Sequence, residues 1–425
     1  MEPIQSLTVE QIDLSELEFW VRSPEEREGA FLSLREERPL AFFEEAEPPT
    51  PIIEKGAGYW AVTRHADVLE ASRQPEIFSS ARGATSVPDM PSEFLEFFGS
   101  MINLDDPRHT RLRRIVSAGF TPKMLRQVEA SVQASAAAII DEVIDRGECD
   151  FVTEIAAKLP LKIICDMMGI PASDYATVFH QSNVILSMGD PEYVPEGDDV
   201  IAAILNAGAT LAGMVQQLGA DRRAHPTEDL TSALVNASVD GESLTDAELG
   251  SFFVLLVVAG NETTRNAISH TLHLLTTYPD QRKIWISDVD GVTPTAVEEV
   301  VRWASPVIWM RRSATRDTTL GGRPINEGDK LLLFYNSANR DARVFDEPFR
   351  FDVRRSPNEH VGFGGPGPHH CLGAHLARRE MSVMWRQLFE RLPDIEATGE
   401  PDRLRSSFIN GIKHLPCAFT AGGVR

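Results

Sequence analysis

The chain has 425 residues, 42% hydrophobic and 24% charged, with a formal net charge of −22. That length can bury one large core or two to three ordinary ones, and the acidic balance disfavours a nucleic-acid binder, whose partner demands a basic face. Four scattered cysteines, at positions 149, 165, 371 and 417, do not make a disulfide framework and point to a reducing, cytoplasmic setting.

In chain order, the opening stretch MEPIQSLTVEQIDLSELEFW lacks a basic n-region and an apolar h-region, so it does not read as a signal peptide. Residues 1–14 are expected to be a flexible arm, and residues 1–55, with the break EEAEPPTP, an acidic segment wrapped over the surface. GYWAVTRH (58–65) alternates as a strand does, and ADVLEASRQ (66–74) reads as a helix. Residues 80–104 are rich in Gly, Ser, Pro and Met and are expected to form a long functional loop. From 109 to 285 the pattern is mostly helical. Its strongest segment opens with a Thr245/Glu248 capping box and stops at Pro279. At ~1.5 Å per residue it is roughly 50 Å long. It has no heptad, and its apolar run FFVLLVVAG (252–260) is about half of a membrane span. What remains is a helix through the centre of a large domain, apolar all round in its middle. Short strands are expected within 319–335, around a turn at Asn326–Gly328, and a hairpin-like stretch within 405–420. The expected architecture is mainly α: one domain over 1–425, a large helical part around a long central helix with a small β-rich part, and no membrane span.

The segment FGGPGPHHCLGAHLA (363–377) sets Cys371 among His369, His370 and His375. A zinc site would use Cys371 and His375 at i, i+4, with His360 as a contributor, but no second ligand pair is nearby. A catalytic thiol would need a base and an acyl-binding loop, and a buried structural cysteine needs nothing further. The fourth reading is a heme thiolate. Glycines let backbone approach a flat ring, and a helix beginning near Leu372 would stabilise the thiolate with its N–H groups and dipole. Pro366 and Pro368 cannot donate, so hydrogen bonds to sulfur must come from residues after the cysteine. The residues of this segment alone leave the four open.

Other segments carry chemistry as well. AGNETT (259–264) puts an acid and an alcohol into an apolar helix, an expensive choice unless they are used. Ala259 and Gly260 are small, and a Thr hydroxyl can bond back to the i−4 carbonyl. EEVVRW holds Glu299 and Arg302 at i, i+3, and DDPRHTRLRR holds His109 and Arg113 at i, i+4.

Together these motifs resemble the cytochrome P-450 family. Gly367, His369, Cys371 and Gly373 match its loop F-x-x-G-x-H/R-x-C-x-G, except that Phe363 lies eight rather than seven residues before the cysteine, so the loop is one residue longer. AGNETT matches the oxygen-activating A/G-G-x-D/E-T-T, and Glu299 with Arg302 the structural E-x-x-R pair. NRDARVFDEPFRFDVRR (339–355) matches the meander after it, with Arg350 or Arg343 as the third partner. The resemblance is strong to actinobacterial members, the methyl-branched lipid omega-hydroxylases.

The resemblance implies heme b with Cys371 as axial ligand, a thiolate that favours O–O cleavage. It implies propionate contacts from His109, Arg113, Arg312 and His369, room for O2 beside Ala259 and Gly260, and proton delivery by Glu262 and Thr263. The reaction would be R–H + O2 + two electrons + two protons giving R–OH + water. No flavin domain is fused, so a ferredoxin and ferredoxin reductase would pass on NAD(P)H electrons. Their docking face is expected at Arg111, Arg114, Arg340, Arg343, Arg354, Arg355, Arg378 and Arg379. Residues 85–104 would overlie the heme, with Phe94, Phe97, Phe98, Met101 and Ile102 as apolar walls and Val258, Ala259, Val307, Phe408 and Ile409 as further substrate contacts. The expected reaction is omega-hydroxylation of a methyl-branched fatty acid or isoprenoid by a monomer. A sterol side-chain hydroxylase is the alternative substrate reading. An H2O2-using peroxygenase is the alternative chemistry, and the Glu262–Thr263 pair argues against it.

Overall fold

A computed structural model describes residues 1–48, 53–120, 122–187, 190–195, 199–238 and 241–423. The expected proline break EEAEPPTP falls in part on 49–51, outside the described residues. The long helix runs Asp246–Thr277, opened by the Thr245/Glu248 capping box with both reciprocal bonds made. Its C-terminal half is almost wholly buried. One hydrophobic cluster holds its Ala267–Leu275 side together with the helices Val289–Ala304 and Ala374–Arg391. Another holds Phe252, Phe253 and Val257 together with Arg108–Gly119, Lys158–Met168 and Val200–Ala224. The helix is apolar on all sides in its middle because it is shared between two cores.

The β part is small. A five-stranded sheet has the order Leu40–Phe43, Tyr59–Val62, Lys330–Phe334, Trp309–Ala314, Phe78–Ser79. Only the Tyr59–Val62 and Lys330–Phe334 pair is parallel. Thr318–Leu320 and Arg323–Ile325 form a short hairpin that turns at Gly321–Gly322 rather than at the expected Asn326–Gly328, after which Lys330–Phe334 joins the five-stranded sheet.

Several expectations need correction. Residues 80–104 are not a long loop: they contain the helix Ser92–Gly99 and a tight turn at Ser100–Asn103. The Asn103 side chain holds them, donating to Leu95 O at 2.9 Å and accepting from Ala84 N at 2.9 Å. Residues 1–14 do not behave as a flexible arm, because Val9, Ile12 and Leu14 are buried against Phe19, Trp20 and Phe31. The N-terminal segment also holds the helix Pro24–Glu37, opened by a Ser23/Glu26 capping box. The tail folds back on itself, but from 402 rather than within 405–420: Ile412–His414 pairs antiparallel with Asp402–Arg403, while Pro416–Ala418 pairs with Glu148–Asp150 and Glu396–Ala397.

Among the described residues one helix, Val200–Ala224, is long and apolar enough to cross a membrane, with mean hydropathy 1.3. In this fold it lies against the central helix, where Gly219 and Gly250 permit close approach to Leu249 and to Ala212.

Candidate active site

The central helix has one accessible stripe in an otherwise buried stretch: Val258, Ala259, Gly260 and Thr263 are half-buried while Val257, Asn261, Glu262 and Thr264 are buried. Thr263 Oγ1 donates to Ala259 O at 2.7 Å, the expected back-bond. Glu262 lies about 100° round the helix from Thr263, and is 1% exposed. Its Oε1 accepts from Asn266 Nδ2 at 2.9 Å and its Oε2 is ion-paired with Arg265, which donates to Asn183 Oδ1 at 2.9 Å. Sequence reasoning missed Arg265 and Asn183; the only available signal was the i, i+3 spacing of an acid and a base in an apolar helix.

The Cys371 loop packs on the helix His65–Arg73. A Cβ on Gly365 would stand 2.5 Å from Ser72 Oγ, and one on Gly367 2.4 Å from Ser72 O. Gly364 and Gly367 also have φ of 85° and 142°, where a side chain is strained. Cys371 N donates to Phe363 O at 2.9 Å, so the extra residue is absorbed inside a loop still closed at its ends. The Phe363 ring lies under the Arg378 guanidinium at 4.3 Å. The next helix starts at Ala374 with Gly373 as its cap, two residues later than expected. Burial raises the Cys371 thiol, while N–H bonds from Gly373 and Ala374 and the charges of Arg113 and Arg378 pull it down. The donors to sulfur do follow the cysteine. The side chain retains accessible surface although it is deeply set, so that surface opens into an internal cleft rather than onto the outside. Neighbouring Leu372 packs in the cluster of Met101, Leu112 and Val257, which joins the loop to the central helix.

A group of nitrogen-bearing side chains stands beside the loop. His109 is 2% exposed, and neither ring nitrogen has a hydrogen-bond partner; Asp106 is 3.7 Å away. The His369 ring is 4.4 Å from it. Burial, then Arg312 and His109, push His369 down to about 3. Arg312 is 6% exposed, and its one hydrogen bond goes to Arg311 O at 2.8 Å. Buried donors without acceptors are costly, and a pair of carboxylates would satisfy them. Arg113 donates to Pro368 O at 2.9 Å and His370 O at 2.7 Å, bracing the loop. Strand alternation separates the two neighbouring arginines: Arg311 faces the other way and holds Val87 O at 3.0 Å and Asp89 Oδ1 at 2.5 Å. Tyr335, unforeseen, is buried beside Arg312.

Glu299 and Arg302 are both fully buried and paired through two bonds of 2.7 and 2.8 Å. The third partner is Arg355, whose Nε is 3.1 Å from Glu299 Oε2. This corrects Arg350 and Arg343, which pair with Glu347 and Asp341 instead. Arg350 contributes only its carbonyl.

The apolar candidates divide between two walls. Phe98 meets Phe94 at a tilt and Phe97 edge-on, with ring centroids 4.6 and 4.9 Å apart, and belongs with Met101 and Val258 to the cluster of the central helix. Ile102 is half-buried beside them in sequence. Val307 and Ile409 form an antiparallel bridge on the sheet side, and Phe408 packs on Trp309 at 4.9 Å.

A cysteine open to an internal cleft and accepting two N–H groups at a helix start, a glycine-rich loop, His109 with unpartnered ring nitrogens beside His369 and Arg312, and an alcohol on a small-residue stripe define a heme-thiolate oxygenase. The donor set fits heme b: Cys371 would serve as thiolate ligand, and His109, Arg312 and His369 could meet the propionates, while the expected contact Arg113 is taken up by Pro368 O and His370 O. The chain belongs to the cytochrome P450 family. The Cytochrome P450 family model matches residues 206–403. The chain is 49% identical over 421 residues to the methyl-branched lipid omega-hydroxylase of Mycobacterium tuberculosis, covering 98% of this chain and 97% of that protein. It is 40% identical over 370 residues to the steroid C26-monooxygenase of Mycolicibacterium smegmatis, covering 86% and 84%. A Mycobacterium marinum cytochrome P450 solved with pseudoionone superposes with TM-score 0.89 at 44% identity, covering 96% and 98%. The protein is thus a monooxygenase whose cofactor is heme with a cysteine axial ligand.

Proposed function

We propose that the protein hydroxylates the terminal carbon of a methyl-branched apolar chain, a fatty acid or an isoprenoid. The carrying observation is the 49% identity to a methyl-branched lipid omega-hydroxylase over 98% of the chain. The Phe94–Phe97–Phe98 group and the Val258–Gly260 stripe support it, being apolar and small where a chain tip would have to pass. Inner C–H bonds are weaker than terminal ones, so terminal attack requires walls that hold the tip rather than the middle of the chain.

Heme, when bound, supplies the activation of O2. The chain's own residues then divide the work. Cys371 would hold the iron through a thiolate supported by the N–H groups of Gly373 and Ala374. Thr263 offers its hydroxyl on the accessible stripe, and Glu262 moves protons once its bond to Arg265 opens. Phe98, Met101, Ile102, Val258, Val307, Phe408 and Ile409 orient the substrate and exclude water.

Electrons come from a ferredoxin and its reductase. The docking face is assigned to the exposed Arg114, Arg343 and Arg354 together with Arg378 and Arg379. Arg340 is 2% exposed and Arg355 is held by Glu299, so neither faces a partner. Arg111 is held by Glu242 and Glu248. Arg378 and Arg379 pair with Glu298 and Glu129, ion pairs that an acidic partner must exchange.

Product analysis with a methyl-branched fatty acid and its straight-chain isomer tests the reading. Terminal alcohol is expected in excess from the branched substrate; in-chain alcohols would overturn it. A sterol side chain is the second reading, favoured by the 40% identity to a steroid C26-monooxygenase, and the same assay with a sterol ranks the two. Turnover with H2O2 and no electron donor at the full rate would make the protein a peroxygenase.

A further inference from the structure

A second cavity, of about 110 Å³, lies beside the C-terminal half of the central helix. None of its lining residues belongs to the Cys371 loop or to the Ala259–Thr263 stripe. The helix Pro24–Glu37 closes it on one side; His270 and His273 of the central helix, with Trp303, close it on another. A water needs about 10–15 Å³ of such space, so the cavity holds several waters or one tetrahedral oxyanion.

Three guanidinium groups, Arg27, Arg340 and Arg403, point into this space. Arg340 is 2% exposed. It donates to Arg302 O at 3.1 Å and Trp303 O at 2.8 Å and stacks 4.4 Å over the Trp303 ring, which leaves Nε buried without a partner. Arg27 Nε is likewise buried without a partner. Among the described residues none of the three has a carboxylate oxygen within ion-pair distance, although Glu25 and Glu28 also line the cavity. Glu28 Oε2 is itself unpartnered. Arg27 and Arg403 repel each other, and burial together with that repulsion pushes Arg403 down to about 10. Burial likewise pushes Arg340 to about 10. Neighbouring His270 is held neutral by burial and by Arg403, with its Nε2 on Asn410 O at 3.0 Å, so it adds no charge. His273 is lowered by the same two causes. Glu400 lies near Arg403 and offsets it only in part.

Convergent, partly desolvated guanidinium groups with free donors are the chemistry of oxyanion recognition. We propose that this cavity binds a small oxyanion of the phosphate class, held by Arg27, Arg340 and Arg403. The bound anion would tie the N-terminal helix to the central helix and to the Asp402–Arg403 strand.

The test is thermal unfolding of the heme-loaded enzyme in inorganic phosphate against chloride at matched ionic strength and pH. Ligand that binds only the native state raises its stability by mass action, so a saturable rise in Tm with phosphate is expected. Calorimetric titration should give the same Kd, and the Soret band should not move, which separates this cavity from the heme site. Arg403→Gln and Arg27→Gln should each weaken phosphate binding at least tenfold. The readout is the phosphate-dependent increment, so a lower starting Tm in either variant does not interfere. Equal Tm in phosphate and chloride, or an undiminished increment in both variants, overturns the proposal and leaves a water-filled cavity.

Discussion

Glu380 is 2% exposed on the helix that follows Cys371, and burial alone pushes its carboxyl from 4.5 up to about 8. At neutral pH the folded protein therefore holds a proton that the unfolded chain has released. Stability falls as pH rises through that interval, because the native state binds more protons than the unfolded one. Below pH 4.5 both states are protonated and the effect is absent. Gln copies the protonated carboxyl. Glu380→Gln should thus stabilise the protein by about 1–3 kcal/mol at pH 8, and hardly at all at pH 4. Urea unfolding at the two pH values measures this; an equal effect at both would show that the carboxyl does not titrate there. Glu380 was invisible in the sequence, where it stands in ARREMS as an ordinary helix-surface acid. The same limit hid Arg355 and Arg265. Motifs specify Cys371, Thr263 and Glu299 because their chemistry is local, but the partner of a buried charge depends on which chain segment folds back over it. Arg355 reaches Glu299 only because the segment 346–358 wraps the end of the helix Val289–Ala304.

At the scale of elements, the long central helix and the strands at 59–62 and 330–334 were legible, since cap residues and periodicity act within a few residues. The Ser92–Gly99 helix was not, because its eight residues lie among Pro, Gly and Ser and its stability comes from contacts elsewhere. Ser251 of the central helix donates to Glu96 O at 2.5 Å. On its other side, the Val200–Ala224 helix approaches so closely that a Cβ on Gly208 would lie 2.7 Å from Phe97 Cε1 and 2.8 Å from Phe98 Cε1. Two elements far apart in sequence thus meet through a missing side chain and two rings. Gly208→Val should force the rings out of place, at an overpacking cost of about 1–3 kcal/mol. If these rings wall the substrate site, the loss should appear in kcat/KM for the branched lipid, by roughly tenfold or more, with the CO-bound heme spectrum unchanged. A normal kcat/KM together with lowered stability would assign the contact to packing alone.

At the scale of the whole molecule, the N-terminal segment covers one face of the sheet. Composition gave no hint of this, because acidic residues alternate with the few apolar ones that matter. Val9, Ile12 and Leu14 bury against Phe19, Trp20 and Phe31, which in turn pack on Trp309, Leu332 and Phe334 of the sheet. Trp20 Nε1 donates to Leu14 O at 2.9 Å, and Ile4 N to Glu25 O at 2.9 Å. Each buried aliphatic side chain is worth about 1.5–3 kcal/mol, opposed by ordering the backbone at about 1–2 kcal/mol per residue. The net stabilisation is therefore a small fraction of the gross. Removing residues 1–14 should lower unfolding stability by about 2–4 kcal/mol, the aliphatic burial less most of that ordering cost, read as a lower urea midpoint. Gly29→Ala provides a point version without deletion, since a Cβ there would stand 2.1 Å from Ile4 O and must dislodge the segment. Both variants should keep the heme-thiolate spectrum, because the cluster they disturb shares no residue with the clusters around Cys371 and the central helix. An unchanged midpoint in both would mean that the segment covers the sheet without stabilising it.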